Sequence, residues 1–354
     1  MKAIKDFQQR IRAAAQARAP LRIRGGGSKD FYGDAASGEV LDTRAHAGIV
    51  EHEPTELYVT ARCGTSLREL ERVLADASQM LPFEPPHYAD GATVGGMVAA
   101  GLSGPRRASA GPVRDFVLGA ELIDGRGELL RFGGQVMKNV AGYDVSRLLA
   151  GSLGTLGLVT QVTLKVLPRP AAELSLRFEL GQAEAVQRLN EWAGQPLPLS
   201  ASAWHERQLT LRLAGAPATL RAARERLGGE EVAESQAVDF WRSVRDHAHP
   251  FFTGNLWRIA VPSTAAPLPL PGAPFIEWHG ALRWLRAEAD PPAVRAAAKA
   301  AGGHATLFRA DDALKRVAGA FDDLPATLAA LHRRVKLAFD PAGIFNPGRL
   351  YPGL

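Results

Sequence analysis

Four glycine-rich loops, each set beside a stretch that reads as a β-strand, constrain this chain more than any other feature. The first, Arg24-Gly25-Gly26-Gly27-Ser28-Lys29, follows a short strand pattern at residues 21–24. Consecutive glycines let backbone N–H groups converge on an anion with no Cβ in the way. Ser28 adds a hydroxyl donor, and Lys29 or Arg24 a positive charge. Taken alone, the run reads equally as a flexible turn. The second loop is Asp90-Gly91-Ala92-Thr93-Val94-Gly95-Gly96-Met97. There a backbone can approach a ligand closely, and Thr93 is placed to cap a helix whose first amides favour phosphate. Tight helix packing on small residues is the alternative. Gly111-Pro112-Val113-Arg114-Asp115 enters a strand, and Gly151-Ser152-Leu153-Gly154-Thr155-Leu156-Gly157 precedes another. Each is ordinary turn chemistry alone; four together, each beside a strand, are hard to dismiss.

Competing chemistries fail on motif. No G-x-G-x-x-G follows a strand, and no Gly-Lys pair offers a P-loop. Neither a G-x-S-x-G elbow nor H-E-x-x-H occurs, which removes serine-hydrolase and zincin readings. His247 and His249 lack matched acidic or thiol ligands and are expected to cap or to face solvent; the other histidines are dispersed, so no metal site is expected. The net charge of +5 comes from scattered arginines without interleaved aromatics, which argues for a mildly basic surface and against nucleic acid.

The lone cysteine, Cys63, forbids an intramolecular disulfide and fits a reducing compartment. An iron–sulfur cluster normally takes four thiolates, so any cluster must sit on a partner. Ile4, Phe7, Ile11 and Ala14 fall at helical spacing and predict an amphipathic N-terminal helix rather than a signal-peptide core. No apolar run approaches the ~18 residues of a membrane span. The expected location is cytoplasmic, at most peripheral at the inner face of the membrane.

The 354 residues suggest about two domains. Helix is expected at 67–78, from about Thr93, and at 143–150; strands at 56–61 and 158–166; and a hairpin at 116–132 around Asp124-Gly125-Arg126-Gly127. Pro168 and Pro170 mark a first boundary. Beyond it strands at 174–180, 209–213, 257–261 and 282–285 alternate with helices at 184–192, 217–227 and 291–301. This is an α+β pattern with an antiparallel sheet. Residues 262–274 read as a proline-rich surface loop, and a helix at 324–339 precedes an ordered proline–glycine tail.

The successive texts RGGGSKDFYG, DGATVGGMVAAGL, GPVRDFVLGAEL, KNVAGYDVSRLLAGSLGTLGLVTQVTLKV and DPAGIFNPGRLY resemble the signatures of PCMH-type FAD proteins of the vanillyl-alcohol-oxidase class. Over nearly the whole chain, MLPFEPPHYADGATVGGM, LRFGGQVMKNVAGYD and HGALRWLR resemble the E subunits of bacterial glycolate oxidases. The resemblance implies an FAD domain of two α/β subdomains at 1–170, an antiparallel cap at 171–307 and a tail at 308–354 returning to the flavin domain. It implies that Gly25, Gly26, Gly27, Ser28 and Lys29 cradle the FAD pyrophosphate, with a side chain on Gly26 excluded because the pyrophosphate takes that space. Ala92, Thr93, Gly95, Gly96, Gly101 and Ser103 would line the flavin path. Gly111, Val113, Gly154 and Val159 would meet it through backbone, and Asn346 and Arg349 would approach the isoalloxazine from the tail.

Members with covalent flavin use a histidine in the first loop or a cysteine before the second, and this chain has neither, so attachment should be non-covalent. The implied function is a glycolate oxidase or dehydrogenase subunit, with a D-type flavoprotein and an iron–sulfur subunit as partners and a small 2-hydroxy acid as substrate. Related dehydrogenases carry a His-x-Gly-Asp-Gly-Asn-x-His run in the cap. Here the nearest text is Gly302-Gly303-His304-Ala305-Thr306. His304, Arg283, Arg309 and Arg349 are the candidates for a base and carboxylate clamps. An autonomous D-lactate-type dehydrogenase and a non-catalytic flavin or structural subunit remain as alternatives.

Overall fold

The computed structural model describes residues 2–134, 144–286 and 290–354. The KNVAGYD text lies almost wholly outside them. In the first half the strands are β1 (Leu21–Arg24), β2 (Glu39–Asp42), β3 (Ile49–Glu53), β4 (Tyr58–Arg62), β5 (Gln79–Met80), β6 (Val117–Ile123), β7 (Leu129–Gly133), β8 (Leu158–Lys165) and β9 (Leu167–Pro168). β1 and β2 form a parallel pair, and β3-β4-β8-β6-β7 an antiparallel sheet. The helices here are α1 (Lys2–Ala17), α2 (Leu67–Asp76), α3 (Val94–Ala100), α4 (Arg107–Ala110) and α5 (Val145–Leu148).

α1 buries the stripe its spacing predicts, Phe7, Ile11 and Ala14, against Leu21, Leu41, Ile123, Ile344 and Phe345. α2 and α3 press Leu67, Leu70, Leu74, Met97 and Val98 onto Val59, Val162 and Leu164. The helix expected at 143–150 shrinks to one turn, capped by Asp144; Tyr143 lies outside the described residues.

The remaining strands are β10 (Ala172–Glu179), β11 (Leu199–His205), β12 (Gln208–Gly215), β13 (Glu230–Val232), β14 (Leu256–Ala260), β15 (Phe275–Glu277), β16 (Leu282–Arg286) and β17 (His304–Arg309). They form one antiparallel sheet, β13-β10-β12-β11-β15-β16-β14-β17. The helices that follow are α6 (Gln182–Ala193), α7 (Pro217–Leu227), α8 (Glu234–Arg245), α9 (Pro291–Ala300), α10 (Asp312–Ala318) and α11 (Ala326–Phe339). The α+β class with an antiparallel cap sheet is what the sequence predicts.

Period-two alternation gives the sheet two faces. On one, Leu209, Leu211, Leu213, Trp204 and Ile276 lie under α6 and α7, while Trp257, Ile259, Leu285, Ala305 and Leu307 lie under α9. The other face turns to the flavin half: Ala201, Ala203, Leu256, Phe275, Leu282, Trp284 and Phe308 share one core with Tyr32, Ala100, Leu102 and Leu153. β17 and α10 continue this cap past residue 307, since Leu314 and Ala318 still pack against its core.

The tail then comes back. Leu21 N–H donates to Ile344 O and Asn346 N–H to Leu21 O, which sets the tail beside β1. A buried Lys336–Asp340 pair fixes that turn, with Asp340 accepting from the Ile344 and Phe345 amides.

Candidate flavin groove and the cap junction

The first glycine loop leaves β1 and lies directly on the second. A Cβ on Gly25 would stand 2.3 Å from Thr93 Oγ1, and one on Gly26 only 1.4 Å from the Gly91 carbonyl oxygen. Loop-on-loop contact therefore excludes a side chain at Gly26, a different reason from the one the resemblance implies. Gly27 takes φ +76° against the Arg24 guanidinium. Asp30 accepts from Arg24 Nε at 2.7 Å and pairs with Arg22 at 2.8 Å, so one carboxylate is shared by two guanidiniums and a net positive charge remains.

The peptide groups after the glycines are sorted by two cations. Arg349 Nη2 donates to the carbonyls of Lys29, Asp30 and Tyr32 at 3.1, 3.3 and 2.9 Å. Lys315 Nζ, reaching over from α10, donates to those of Phe31 and Gly33. Five successive carbonyls are thus gathered on one side. The N–H groups of Gly26, Gly27, Ser28 and Lys29 have no acceptor among the described residues, and these residues line a groove of about 550 Å³, open solvent included. Free amides on a glycine loop, with no Cβ obstructing them, fit a pyrophosphate.

Thr93, Gly96, Asn346 and Arg349 also line this groove, together with Arg22, Ile23, Asp30, Ala36, Ala99, Ala100 and Leu153, which the sequence did not single out. Thr93 caps α3, accepting from Gly96 N–H at 3.2 Å. Asn346 accepts from Ile23 N–H at 2.8 Å and donates to Leu153 O at 2.6 Å, tying tail, β1 and fourth loop together.

Other candidates lie elsewhere. Ala92, Val113 and Val159 are core residues. Gly95 packs on Cys63, Gly101 on Gly151 and Gly154 on Asn346, while Gly111 has φ +106° beside Asp115. Ser103 Oγ accepts from Val113 N–H. The first, second and fourth loops converge, and the third does not reach the groove lining.

The four acid–base and clamp candidates separate as well. Arg283 lies on the cap face turned away from the flavin half, where it donates to the Ala265, Ala266 and Gly280 carbonyls, so it holds the proline-rich loop and clamps no ligand. Arg349 is committed to loop carbonyls. His304 starts β17 as an exposed residue, its imidazole held below the ordinary range by burial of the ring and by the Arg258 charge. Arg309 stands at the junction, 4.8 Å over the Phe31 ring, with the Phe252 carbonyl as its acceptor.

His247 corrects the expectation of a cap or a solvent-facing side chain. Its ring stacks on Phe252 at 4.1 Å, meets Tyr88 and Trp284 at 4.9 and 4.6 Å, and has an Nδ1 without a partner. Burial and the Arg309 and Arg258 charges hold it well below the ordinary histidine range, so it is neutral. Lys29 Nζ lies 5.5 Å from the Tyr88 ring. Burial brings its ammonium down to about 8, against the pull of Asp246. The signal for Arg258 was present in the text Trp257-Arg258-Ile259: alternation that buries both neighbours under α9 sends the arginine to the flavin side.

A glycine groove closed by the returning tail, set against an antiparallel cap, defines the class: a flavin-nucleotide protein of the two-part, cap-bearing kind. Comparison with known proteins agrees. Residues 1–133 match the FAD binding domain model, and 323–350 match the C-terminal domain of FAD linked oxidases. The chain is 50% identical to the glycolate oxidase subunit GlcE of Escherichia coli over 98% of this chain and 97% of that one. It is 32% identical to the glycolate oxidase subunit GlcD of Bacillus subtilis over 48% of this chain and 37% of that one. The 4-ethylphenol oxidase from Gulosibacter chungangensis superposes with a TM-score of 0.69 at 16% identity, covering 99% of this chain and 88% of that one, and shows the shared fold. The chain belongs to the glycolate oxidase E-subunit family of FAD-linked oxidases; it is an oxidoreductase whose cofactor is FAD.

Proposed function

We propose that this chain is the FAD-holding E-type subunit of a complex that oxidises glycolate to glyoxylate. The single observation that carries the reading is the set of unpartnered amides at Gly26–Lys29, beside a cap junction, in a chain matched end to end by a glycolate oxidase subunit. FAD, when bound, supplies two-electron redox chemistry at its ring. The protein's part is to hold and orient it. The amides of 26–29 receive the pyrophosphate. Arg349 and Lys315 keep the carbonyls of 29–33 from facing it, and Asn346 locks the tail against β1. The cap face excludes water with Trp284, Phe308 and Phe252.

A D-type flavoprotein and an iron–sulfur subunit are the proposed partners. Cys63 is buried and its thiol is pushed up to about 12, so it is no thiolate ligand. Electrons leaving the flavin toward iron must cross to another chain. Among the described residues no helix is long and apolar enough to cross a membrane, and we place the subunit in the cytoplasm, reaching a membrane only through the complex.

The test is purification of the assembly, counting flavin and iron per chain and assaying glyoxylate formation. Flavin on this chain, iron on another and glycolate-dependent turnover support the reading. A purified assembly in which this chain lacks flavin sinks it.

A further inference from the structure

The cap face turned to the flavin half carries two central arginines with opposite fates. Arg212 on β12 holds Glu84 through Nη2 at 2.8 and 2.9 Å. Arg258 on β14 has no ion pair within 4.0 Å and no hydrogen bond among the described residues; it rests 5.2 Å over the Trp278 ring, which Arg107 also covers at 4.4 Å. Register places Arg258 beside Trp284 and Thr306, on the face that carries Phe308.

Around it other donors stand without an acid partner. Arg309 has one backbone carbonyl and no acid. The hydroxyls of Tyr32 and Tyr88 have no partner among the described residues, although burial raises both and the Arg258 charge pulls both back. Lys29 faces Tyr88, and the buried His247 offers an unpartnered Nδ1 beside the same ring. Two acids reach the cluster. Asp246 acts on Lys29 but is already bound by Arg245 at 2.7 Å. Glu277 accepts from Trp284 Nε1 at 2.7 Å; burial pushes its carboxyl up to about 7, against the pull of that hydrogen bond and of the Arg258 charge. Cations therefore outnumber anions at this half-buried, aromatic junction, where an unpaired charge is costly.

We infer that Arg258 and Arg309, with the hydroxyls of Tyr32 and Tyr88, form a receptor for the carboxylate of a small 2-hydroxy acid in this subunit itself. The ligand class rests on the proposed function; the anion site rests on the unpaired donors. The FAD pyrophosphate does not satisfy them, because it has its own amide cradle at 26–29. A guanidinium is suited to the task, since its planar fork matches a carboxylate. The site binds and orients. His247, neutral and stacked beside Tyr88, has an unpartnered Nδ1 able to accept a hydrogen bond from the ligand hydroxyl.

The experiment is calorimetric titration of the FAD-loaded chain with oxalate, a dicarboxylate with no C–H bond to oxidise. Binding by the wild type, weakened at least tenfold in Arg258→Met and in Arg309→Met and less in Arg258→Lys, at unchanged flavin content, is the expected result. No uptake by the wild type, or equal affinity in Arg258→Met, overturns it. Should the Met variants fail to fold, phenylglyoxal modification of the wild type replaces them. Oxalate should slow modification of Arg258; an unchanged rate counts against the site. A chain that binds oxalate but carries no FAD keeps this inference and removes the proposed function.

Discussion

The glycine groove and the cap junction both present unsatisfied donors, yet they are built in opposite ways. In the groove the donors are backbone amides, contiguous at 26–29, and side chains serve only to hold peptides in place. At the junction the donors are side chains from positions 29, 32, 88, 258 and 309, brought together by two neighbouring cap strands and two loops of the flavin half. Backbone recognition demands glycine and so leaves a mark in the text. Side-chain recognition assembled across strands leaves single arginines and tyrosines that look like any others.

The comparison breaks most readily at Gly26. Because a Cβ there would overlap the Gly91 carbonyl, Gly26→Val must push two loops apart. We expect no flavin absorbance in the purified variant and a stability loss of about 3 kcal/mol, read by denaturant unfolding. A yellow variant of wild-type stability would show that the two loops do not touch as described.

Next in size is the saturated end of the junction. Glu84 meets Arg212 and Arg106. Burial raises its carboxyl, but the two arginines outweigh that and hold it below the ordinary value of 4.5. Stability from such a group is present above that ordinary value and lost as pH falls through the lowered one. Glu84→Gln leaves the buried Arg212 guanidinium without its carboxylate, while Arg106 keeps Glu173, and should cost about 2 kcal/mol, with the part of the acid sensitivity that Glu84 carries below pH 4.5 gone. An unchanged melting temperature at neutral pH would mean that this pair does not hold cap to flavin domain.

These two regions also show what could be read in advance. The α+β class follows from period-two patterns; local glycine chemistry marks four loops, of which the third does not reach the groove lining. β11, β15 and β17 were not assigned: Leu199–His205 alternates serine and alanine with few large apolar residues, Phe275–Glu277 is three residues long, and the last was read as glycine-flanked text. α8 escaped because it buries only Trp241 and Val244. Alternation sets Arg258 opposite Trp257 and Ile259, and Arg283 opposite Leu282 and Trp284, but which of these faces meets the flavin half shows only in register and packing. His247 was misjudged for the same reason: nothing near it in sequence announces the Phe252, Tyr88 and Trp284 rings.

A smaller effect should come from Lys315, which lies in the cap but acts on the groove. Lys315→Met frees the carbonyls of Phe31 and Gly33, so the loop amides lose their preset orientation. FAD should bind about tenfold more weakly, on the scale of one charge-assisted hydrogen bond, while oxalate binding changes less. Equal losses of both ligands would show a general loosening of the cap rather than positioning of one loop.

The last expectation concerns Lys29, which belongs to both regions. It lines the groove and faces Tyr88 at the junction, with Ser28 Oγ at 3.5 Å and Asp246 acting on it from α8's end. Burial lowers its ammonium from 10.5 to about 8, so the folded chain gives up this proton before the unfolded chain does. Between pH 8 and 10.5 the unfolded state holds more protons, and this group makes apo stability rise with pH. Anion binding must run the other way, because the ligand prefers the charged form. From pH 7 to 9.5 FAD affinity should fall about fivefold, the scale of ~1 kcal/mol for one partly screened charge pair. Lys315, also near 8, contributes to the same window. The slope should therefore flatten in Lys29→Met and vanish in the double variant with Lys315→Met. A wild-type slope that survives both substitutions would place the titrating group elsewhere and dissolve the link between the groove and the junction.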